Sequence, residues 1–194
     1  MRLATYSGPT GELCIIGDDV SLKSLIFTSS LPRSYNVEKH FQKGATAAIN
    51  AAGKFLDSYF GWTAGPQKQG AGARAIKVAV KKSIIRLVYG DLVLDMDMSE
   101  YTKKEITVYR ELLRVPFGRT ISYGALAARA GFPGGARFIG NTMAKNNFPI
   151  IIPCHRVIKS DGTMGNYSGG THIKKLLLGH ERSISLPLDR AGRL

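Results

Sequence analysis

The sequence predicts an α/β N-terminal domain, a small antiparallel sheet plus a helix, followed by a mostly helical C-terminal domain with a helix-turn-helix. Three observations carry this reading. Short β-type runs bounded by turn residues flank one stretch of helical spacing in the first half of the chain. From about residue 98 onward, helix caps and helical periodicity take over. Two short helical segments then meet at a glycine-rich turn around Gly134-Gly135. The expected units are residues 1–92 and 93–194, and a chain of 194 residues has room for a core in each.

Leu13 to Ile16 and Ser24 to Thr28 are apolar runs separated by the turn signal Gly17-Asp18-Asp19, which predicts a hairpin. Ala47, Ala48, Ala51, Ala52, Phe55, Leu56 and Tyr59 recur at helical spacing and predict a helix over 46–59. Residues 61–74, rich in Gly, Ala, Gln and Pro, read as a loop. Ile76 to Val80 and Ile84 to Leu94 return to strand character, with Gly90-Asp91 as a turn. Thr102 followed by Glu105 is a capping-box pattern, and Ile106, Tyr109, Leu112 and Leu113 continue it as one apolar stripe that stops before Pro116. Ser122 caps a short helix through Ala130, and a further helix runs from Ala136 to about Lys145. Phe148 to Ile152 reads as a buried run, 162–170 as a glycine-rich loop, and a last helix starts near Thr171 with Ile173, Leu176 and Leu177 inward.

The formal charge is +13, and it is unevenly placed: residues 1–100 hold 12 basic and 9 acidic side chains, residues 101–194 hold 15 and 5. A basic second half suits a polyanion such as nucleic acid, because Lys and Arg release counterions from phosphates, and equally suits a solvated basic surface. No apolar run approaches the length of a membrane span, and the first 30 residues lack a signal-peptide pattern. The expectation is an intracellular protein without a membrane segment. Cys14 and Cys154 stand in different settings without dense cysteine spacing, and the histidines His40, His155, His172 and His180 show no zinc-ligand spacing, so neither a disulfide nor a metal is predicted.

The run Ile152-Pro153-Cys154-His155-Arg156-Val157-Ile158 concentrates chemistry. The flanking cations place Cys154 in a positive neighbourhood that favours thiolate over thiol. The plain alternative is a buried cysteine acting as a small hydrophobe. His155, if the segment is an extended strand, faces away from the sulfur and acts through a water or is structural.

These residues, with Gly165-Asn166-Tyr167-Ser168-Gly169-Gly170, Lys174 and Leu177-Leu178-Gly179-His180-Glu181, resemble the active-site region of the O6-alkylguanine-DNA alkyltransferases, also called methylated-DNA-protein-cysteine methyltransferases. Val115-Pro116-Phe117-Gly118, Ile121-Ser122-Tyr123-Gly124, Arg137 and Asn146 fall where that family has its DNA-binding helices. The resemblance covers about residues 94–182; the first 90 match only in general character.

The resemblance implies DNA repair by direct reversal. Cys154 would take the alkyl group from O6 of guanine, or from O4 of thymine, in one irreversible displacement. His155 and Glu181, with a bridging water, would form the relay that keeps Cys154 as thiolate, and Asn146 would hold the bend beside it. Tyr123 would donate toward guanine N3. Val157 would read the base edge, and Met164, Asn166, Tyr167 and Ser168 would line the pocket. Arg137 would replace the flipped nucleotide in the stack, and Ser122, Phe138 and Lys145 would join Tyr123 at the DNA. The implied partner is double-stranded DNA entered through the minor groove by a monomer without cofactor. The implied location is cytoplasmic at the nucleoid, or nuclear in a eukaryote. Phe138 departs from the small residue usual after the arginine, and two roles stay open for it: packing inward, or wedging beside the lesion. The readings to be separated are this transferase, a non-catalytic DNA-binding protein that recognises alkylated bases, and a cysteine hydrolase.

Overall fold

The computed structural model describes residues 1–32, 40–61, 77–81 and 83–185. β1 (Arg2–Gly8) and β2 (Gly11–Gly17) form an antiparallel hairpin, with Gly11 at φ 98° after the turn. β2 carries five consecutive buried residues, Leu13 to Gly17, because both its faces are covered. Leu13 and Ile15 enter the main core, while Cys14 and Ile16 pack with Leu3, Ile26 and Phe41 on the other side. β3 (Leu22–Phe27) returns antiparallel to β2 after a turn in which Asp18 Oδ1 accepts from the amides of Val20 and Ser21. The short β4 (Gln42–Lys43) lies parallel to β1.

α1 (Ala47–Phe60) starts where Thr46 Oγ1 accepts from the Ile49 amide, and it lays Ile49, Ala52, Phe55, Leu56 and Tyr59 into the core. β5 (Lys77–Lys81), β6 (Ile84–Tyr89) and β7 (Leu92–Asp97) form a second antiparallel meander, with Gly90 at φ 60° in the β6–β7 turn. A single parallel pairing, Leu22 with Met96, joins the two meanders. Among the described residues this makes one seven-stranded sheet, β4-β1-β2-β3-β7-β6-β5.

The predicted hairpin, helix and later strands are present, and the sheet is larger and more mixed than the small antiparallel one expected. The reason is the non-local pairing of β3 with β7, which local periodicity does not reveal. The sheet also continues through Asp97, past the expected boundary at 92/93, because β7 completes it. The predicted loop over 61–74 lies, after residue 61, outside the described residues.

The second half is helical. α2 (Lys103–Leu113) has its capping box in place: Thr102 Oγ1 accepts from the Glu105 amide at 3.3 Å, and the Thr102 amide donates to Glu105 Oε2 at 2.8 Å. α3 (Tyr123–Arg129) is capped by Ser122 Oγ, which accepts from the Ala125 amide, and α4 (Ala136–Ala144) packs on α3 across a turn with Gly131 and Gly134 at positive φ. β8 (Ile121–Ser122) pairs parallel with β9 (Val157–Ile158), tying the start of α3 to the segment after Cys154. α5 (Gly170–Ser185) buries Ile173, Lys174, Leu177 and Glu181. Leu176, expected inward, is exposed, because the buried face is centred nearer Lys174 and Leu177 and leaves it well round the helix. No helix among the described residues is long and apolar enough to cross a membrane.

One continuous core runs from Leu13 and Leu25 through Tyr109 and Leu126 to Ile152 and Leu177, so the sheet and the helices share it. The join also carries hydrogen bonds, since the Leu25 amide and Ser24 Oγ both donate to the carbonyl of Asn147. Thr102→Ala removes the side-chain half of the α2 capping box and is expected to lower the unfolding free energy by about 1 kcal/mol, read as a lower urea midpoint at unchanged slope.

Candidate active site

Cys154 lies in a short 3-10 turn, Cys154–Arg156, that follows Pro153. The segment is not the extended strand expected, so His155 does not simply point opposite to the sulfur. The approach to the turn is strained: Ile150 has φ 72°, a rare conformation for a β-branched residue that costs about 1–3 kcal/mol. Asn146 holds this bend from inside. Its Oδ1 accepts from the Phe148 amide, and its Nδ2 donates both to the Ile152 carbonyl at 2.9 Å and to Cys154 Sγ at 3.0 Å. The same side chain therefore fixes the backbone and touches the thiol. Tyr101, whose hydroxyl donates to the Lys145 carbonyl and accepts from the Asn147 amide, clamps the chain on either side of Asn146.

The thiol is buried, at 4% exposure. Burial pushes its pKa above the usual thiol value, against the opposing pull of the Asn146 hydrogen bond, the nearby Lys174 charge and the Tyr167 hydroxyl. The flanking cations thus do not leave Cys154 as a resting thiolate, because Arg156 is engaged elsewhere and desolvation outweighs the rest. Lys174 is itself fully buried, its Nζ donating to the Val157 carbonyl at 2.6 Å. Burial lowers its pKa, while a charge on Cys154 would raise it. The Tyr167 hydroxyl lies near enough to the sulfur to affect its ionisation, yet makes no hydrogen bond of good geometry.

Glu181 is fully buried and held on both oxygens. Oε1 takes His155 Nε2 at 2.7 Å, Arg156 Nη2 at 2.8 Å and the Tyr59 hydroxyl at 2.9 Å; Oε2 takes Arg156 Nε and the Gly118 amide, each at 2.9 Å. Burial alone would raise the carboxyl pKa, but His155 and Arg156 overcome it and hold it at about 2. Arg156 also donates through Nη1 to the Val115 carbonyl and stacks over the Phe117 ring, which fixes the Val115–Gly118 segment around the carboxylate.

His155 is completely buried, and burial lowers its pKa despite the adjacent carboxylate. A neutral ring that donates through Nε2 to Glu181 keeps a lone pair on Nδ1, and Nδ1 has no hydrogen-bond partner among the described residues. The tautomer follows from the hydrogen-bond network. Arg156 balances the carboxylate charge, so the site holds a neutral base next in sequence to a neutral thiol.

Of the predicted site residues, the structure brings together Cys154, His155, Glu181, Asn146, Val157, Tyr167 and Tyr123. Tyr123, half-buried at the start of α3, packs its hydroxyl so closely on Gly165 that a Cβ there would collide with it. Burial, and then the charge of Cys154, raise its pKa, so the hydroxyl keeps its proton. Met164 is half-buried, while Asn166 and Ser168 are exposed on the loop before α5. Arg137 is exposed in the first turn of α4, and Ser122 is occupied as the α3 cap. Phe138 packs inward, edge-on to Phe132 at 5.2 Å between centroids, rather than standing out as a wedge. Lys145 reaches back to the buried Glu105 at 2.7 Å, a structural ion pair the sequence did not signal.

The sequence does not reveal the roles of two members of the site. Arg156 counted only as a cation beside the cysteine, and its true partner lies 25 residues away. Tyr59 fell in the apolar stripe of α1 and read as core. Among the described residues no cluster of His, Cys, Asp and Glu could hold a metal ion.

Comparison with known proteins shows similarity to one family in sequence and in fold. The family model for the 6-O-methylguanine DNA methyltransferase DNA-binding domain matches residues 103–183. A methylated-DNA–protein-cysteine methyltransferase from Rattus norvegicus is 53% identical over 75 residues, which cover 38% of this chain and 36% of that protein. The match thus spans about a third of the length of such mammalian relatives. The protein of that name from Mycolicibacterium paratuberculosis is 38% identical over 122 residues, covering 63% of this chain and 70% of the relative. The crystal structure of Mycobacterium tuberculosis OGT in complex with DNA superposes with a TM-score of 0.67 at 28% identity, covering 95% of this chain and 94% of that one. The fold, the buried cysteine with its histidine and glutamate, and this similarity together place the chain in the methylated-DNA–protein-cysteine methyltransferase family.

Proposed function

We propose that the protein repairs DNA by direct reversal, moving the alkyl group of O6-alkylguanine irreversibly onto Cys154. The observation that carries this reading is the buried thiol bonded to Asn146 beside a neutral His155 anchored by Glu181. The names of the relatives, and the DNA-bound OGT structure, support DNA as the substrate.

In the proposed step the Cys154 proton passes to His155, through a bridging water at Nδ1, and Glu181 stabilises the imidazolium that forms. The sulfur lone pair attacks the alkyl carbon, the S–C bond forms, and the C–O6 bond breaks with its electrons going to guanine. Tyr123, which keeps its proton, supplies a hydrogen bond or proton toward N3 of the leaving base. The thioether is not reversed, so each molecule acts once. A thiol kept neutral by burial suits that economy, because it is shielded from side reactions until the base is in place.

The lesion must leave the stack to reach a buried sulfur, at a cost of a few kcal/mol. α3 and α4 act as a helix-turn-helix at the minor groove, where backbone contacts predominate over sequence reading. Arg137, exposed at the start of α4, fills the gap left by the flipped nucleotide, and Ser122 and Lys145 lie alongside. Met164, Asn166, Tyr167 and Ser168 border the base pocket, with Val157 at the base edge. The N-terminal sheet is the support against which the reactive half is held. The protein acts as a monomer without cofactor, in the cytoplasm at the nucleoid or in a nucleus.

Incubation with an oligonucleotide carrying O6-methylguanine is expected to raise the intact mass by about 14 Da, one methylene on a single thiol, and Cys154→Ala should abolish the gain. Binding without a mass change would instead indicate lesion recognition alone, and repeated turnover a hydrolase. Arg137→Ala is expected to slow transfer from duplex DNA by more than it slows reaction with free O6-benzylguanine; equal losses would contradict a flipping role. The Glu181 carboxyl, at about 2 when folded, contributes stability that is complete above the ordinary carboxyl value of 4.5 and lost as pH falls toward 2. Glu181→Gln is therefore expected to cost about 3–5 kcal/mol at neutral pH by leaving Arg156 buried and unpaired, and to flatten the acid limb of a stability-versus-pH curve measured with urea.

A further inference from the structure

Tyr59 stands in the last turn of α1, outside the segment that carries the thiol, yet its hydroxyl ends on the same carboxylate oxygen as His155. It donates to Glu181 Oε1 at 2.9 Å and lies 3.5 Å from His155 Nε2. The ring is fixed on several sides: Phe60 and Phe117 meet it edge-on at 5.0 and 5.6 Å, His180 lies tilted to it at 5.4 Å, and His180 Nε2 bonds the Tyr59 carbonyl at 2.8 Å. Burial, reinforced by the charge of Glu181, pushes the phenol well above its usual range, so the hydroxyl acts as a donor.

We propose that Tyr59 is a positioning residue for alkyl transfer, through which the N-terminal helix sets the orientation and basicity of the Glu181–His155 pair. The proposal rests on the transferase reading above. Arg156 defines the plane of the carboxylate by gripping both oxygens. Within that plane the Gly118 amide pins Oε2 and Tyr59 pins Oε1, so the edge offered to His155 cannot turn toward a closer grip on Arg156. A donor on Oε1 also draws electron density from the oxygen that His155 uses, which tempers how strongly Glu181 favours the imidazolium. Tyr59 touches neither sulfur nor substrate, and acts only through Glu181.

The groups that bear on this titration come from each packed element: Cys154, His155 and Arg156 on the 3-10 turn, Lys174, His180 and Glu181 on α5, Tyr167 on the preceding loop and Tyr59 on α1. Removing the hydroxyl while keeping the ring changes one of them. Tyr59→Phe and the wild-type protein would be compared by the rate of Cys154 adduct formation with O6-benzylguanine, followed by intact mass across pH 5 to 9, together with thermal melting. Phe60→Leu serves as the packing control, since it loosens the ring cluster and leaves the hydroxyl in place.

The expected result is a rate about ten-fold lower for Tyr59→Phe, the scale of one hydrogen bond to a charged group, with the pH midpoint moved upward. Phe60→Leu should lower the melting temperature and leave the midpoint where it is. Equal rates and midpoints for Tyr59→Phe and wild type would overturn the positioning role alone. A rate loss matching only the loss of folded protein, with an unmoved midpoint, would likewise reduce Tyr59 to packing. If the wild-type protein forms no adduct at any pH, the transferase reading falls and the proposal falls with it.

Discussion

A carboxylate sealed from solvent must find its counter-charge and its hydrogen-bond donors inside the protein, and Glu181 imposes that condition on the whole reactive half. Desolvating such a group costs several kcal/mol unless the geometry of its partners is good. The fold meets the demand from separate pieces of chain: His155 and Arg156 from the turn after Pro153, the Gly118 amide from the segment after α2, and Tyr59 from α1. The seating of α5, the path of residues 115–118 and the docking of α1 are therefore linked. None can shift without exposing or stranding the charge.

The same arrangement explains how a reactive thiol can be kept quiet. A cation beside a cysteine ordinarily promotes thiolate, but here Arg156 spends its charge on Glu181 and leaves the sulfur governed by burial. What remains near the sulfur is the amide of Asn146, the buried ammonium of Lys174 and the phenol of Tyr167. These groups assist a thiolate once it forms, without forcing it to form. The strained Ile150 belongs to this logic, since it lies in the stretch between Asn146 and Ile152 that must turn back for Asn146 to reach both the Ile152 carbonyl and the sulfur.

The N-terminal sheet and its helix α1 together meet the site at three places. β3 bonds the Asn147 carbonyl immediately after Asn146, Phe27 packs edge-on against Tyr167 and closely over Gly169, and Tyr59 reaches Glu181. The thiol's bend, the pocket loop and the acid–base pair each lean on them. A continuous core across the two halves makes these contacts rigid.

Much of this was legible in the sequence where the deciding forces are local. Thr102 and Glu105 announce the start of α2, Ser122 that of α3, and the Gly17–Asp19 and Gly90–Asp91 turns mark their hairpins, because a cap or a turn is settled by residues within a few positions. The reactive segment around Cys154 was equally visible, since its residues are contiguous. Tertiary structure alone decided the rest. The β3–β7 pairing joins residues 22 and 96, Tyr59 meets a partner 122 residues away, and Lys145 turns to a buried Glu105 40 residues upstream. The state of Cys154 belongs with these, for whether a thiol keeps its proton depends on burial and on which charges are already paired, and both are properties of the packed fold rather than of neighbouring letters.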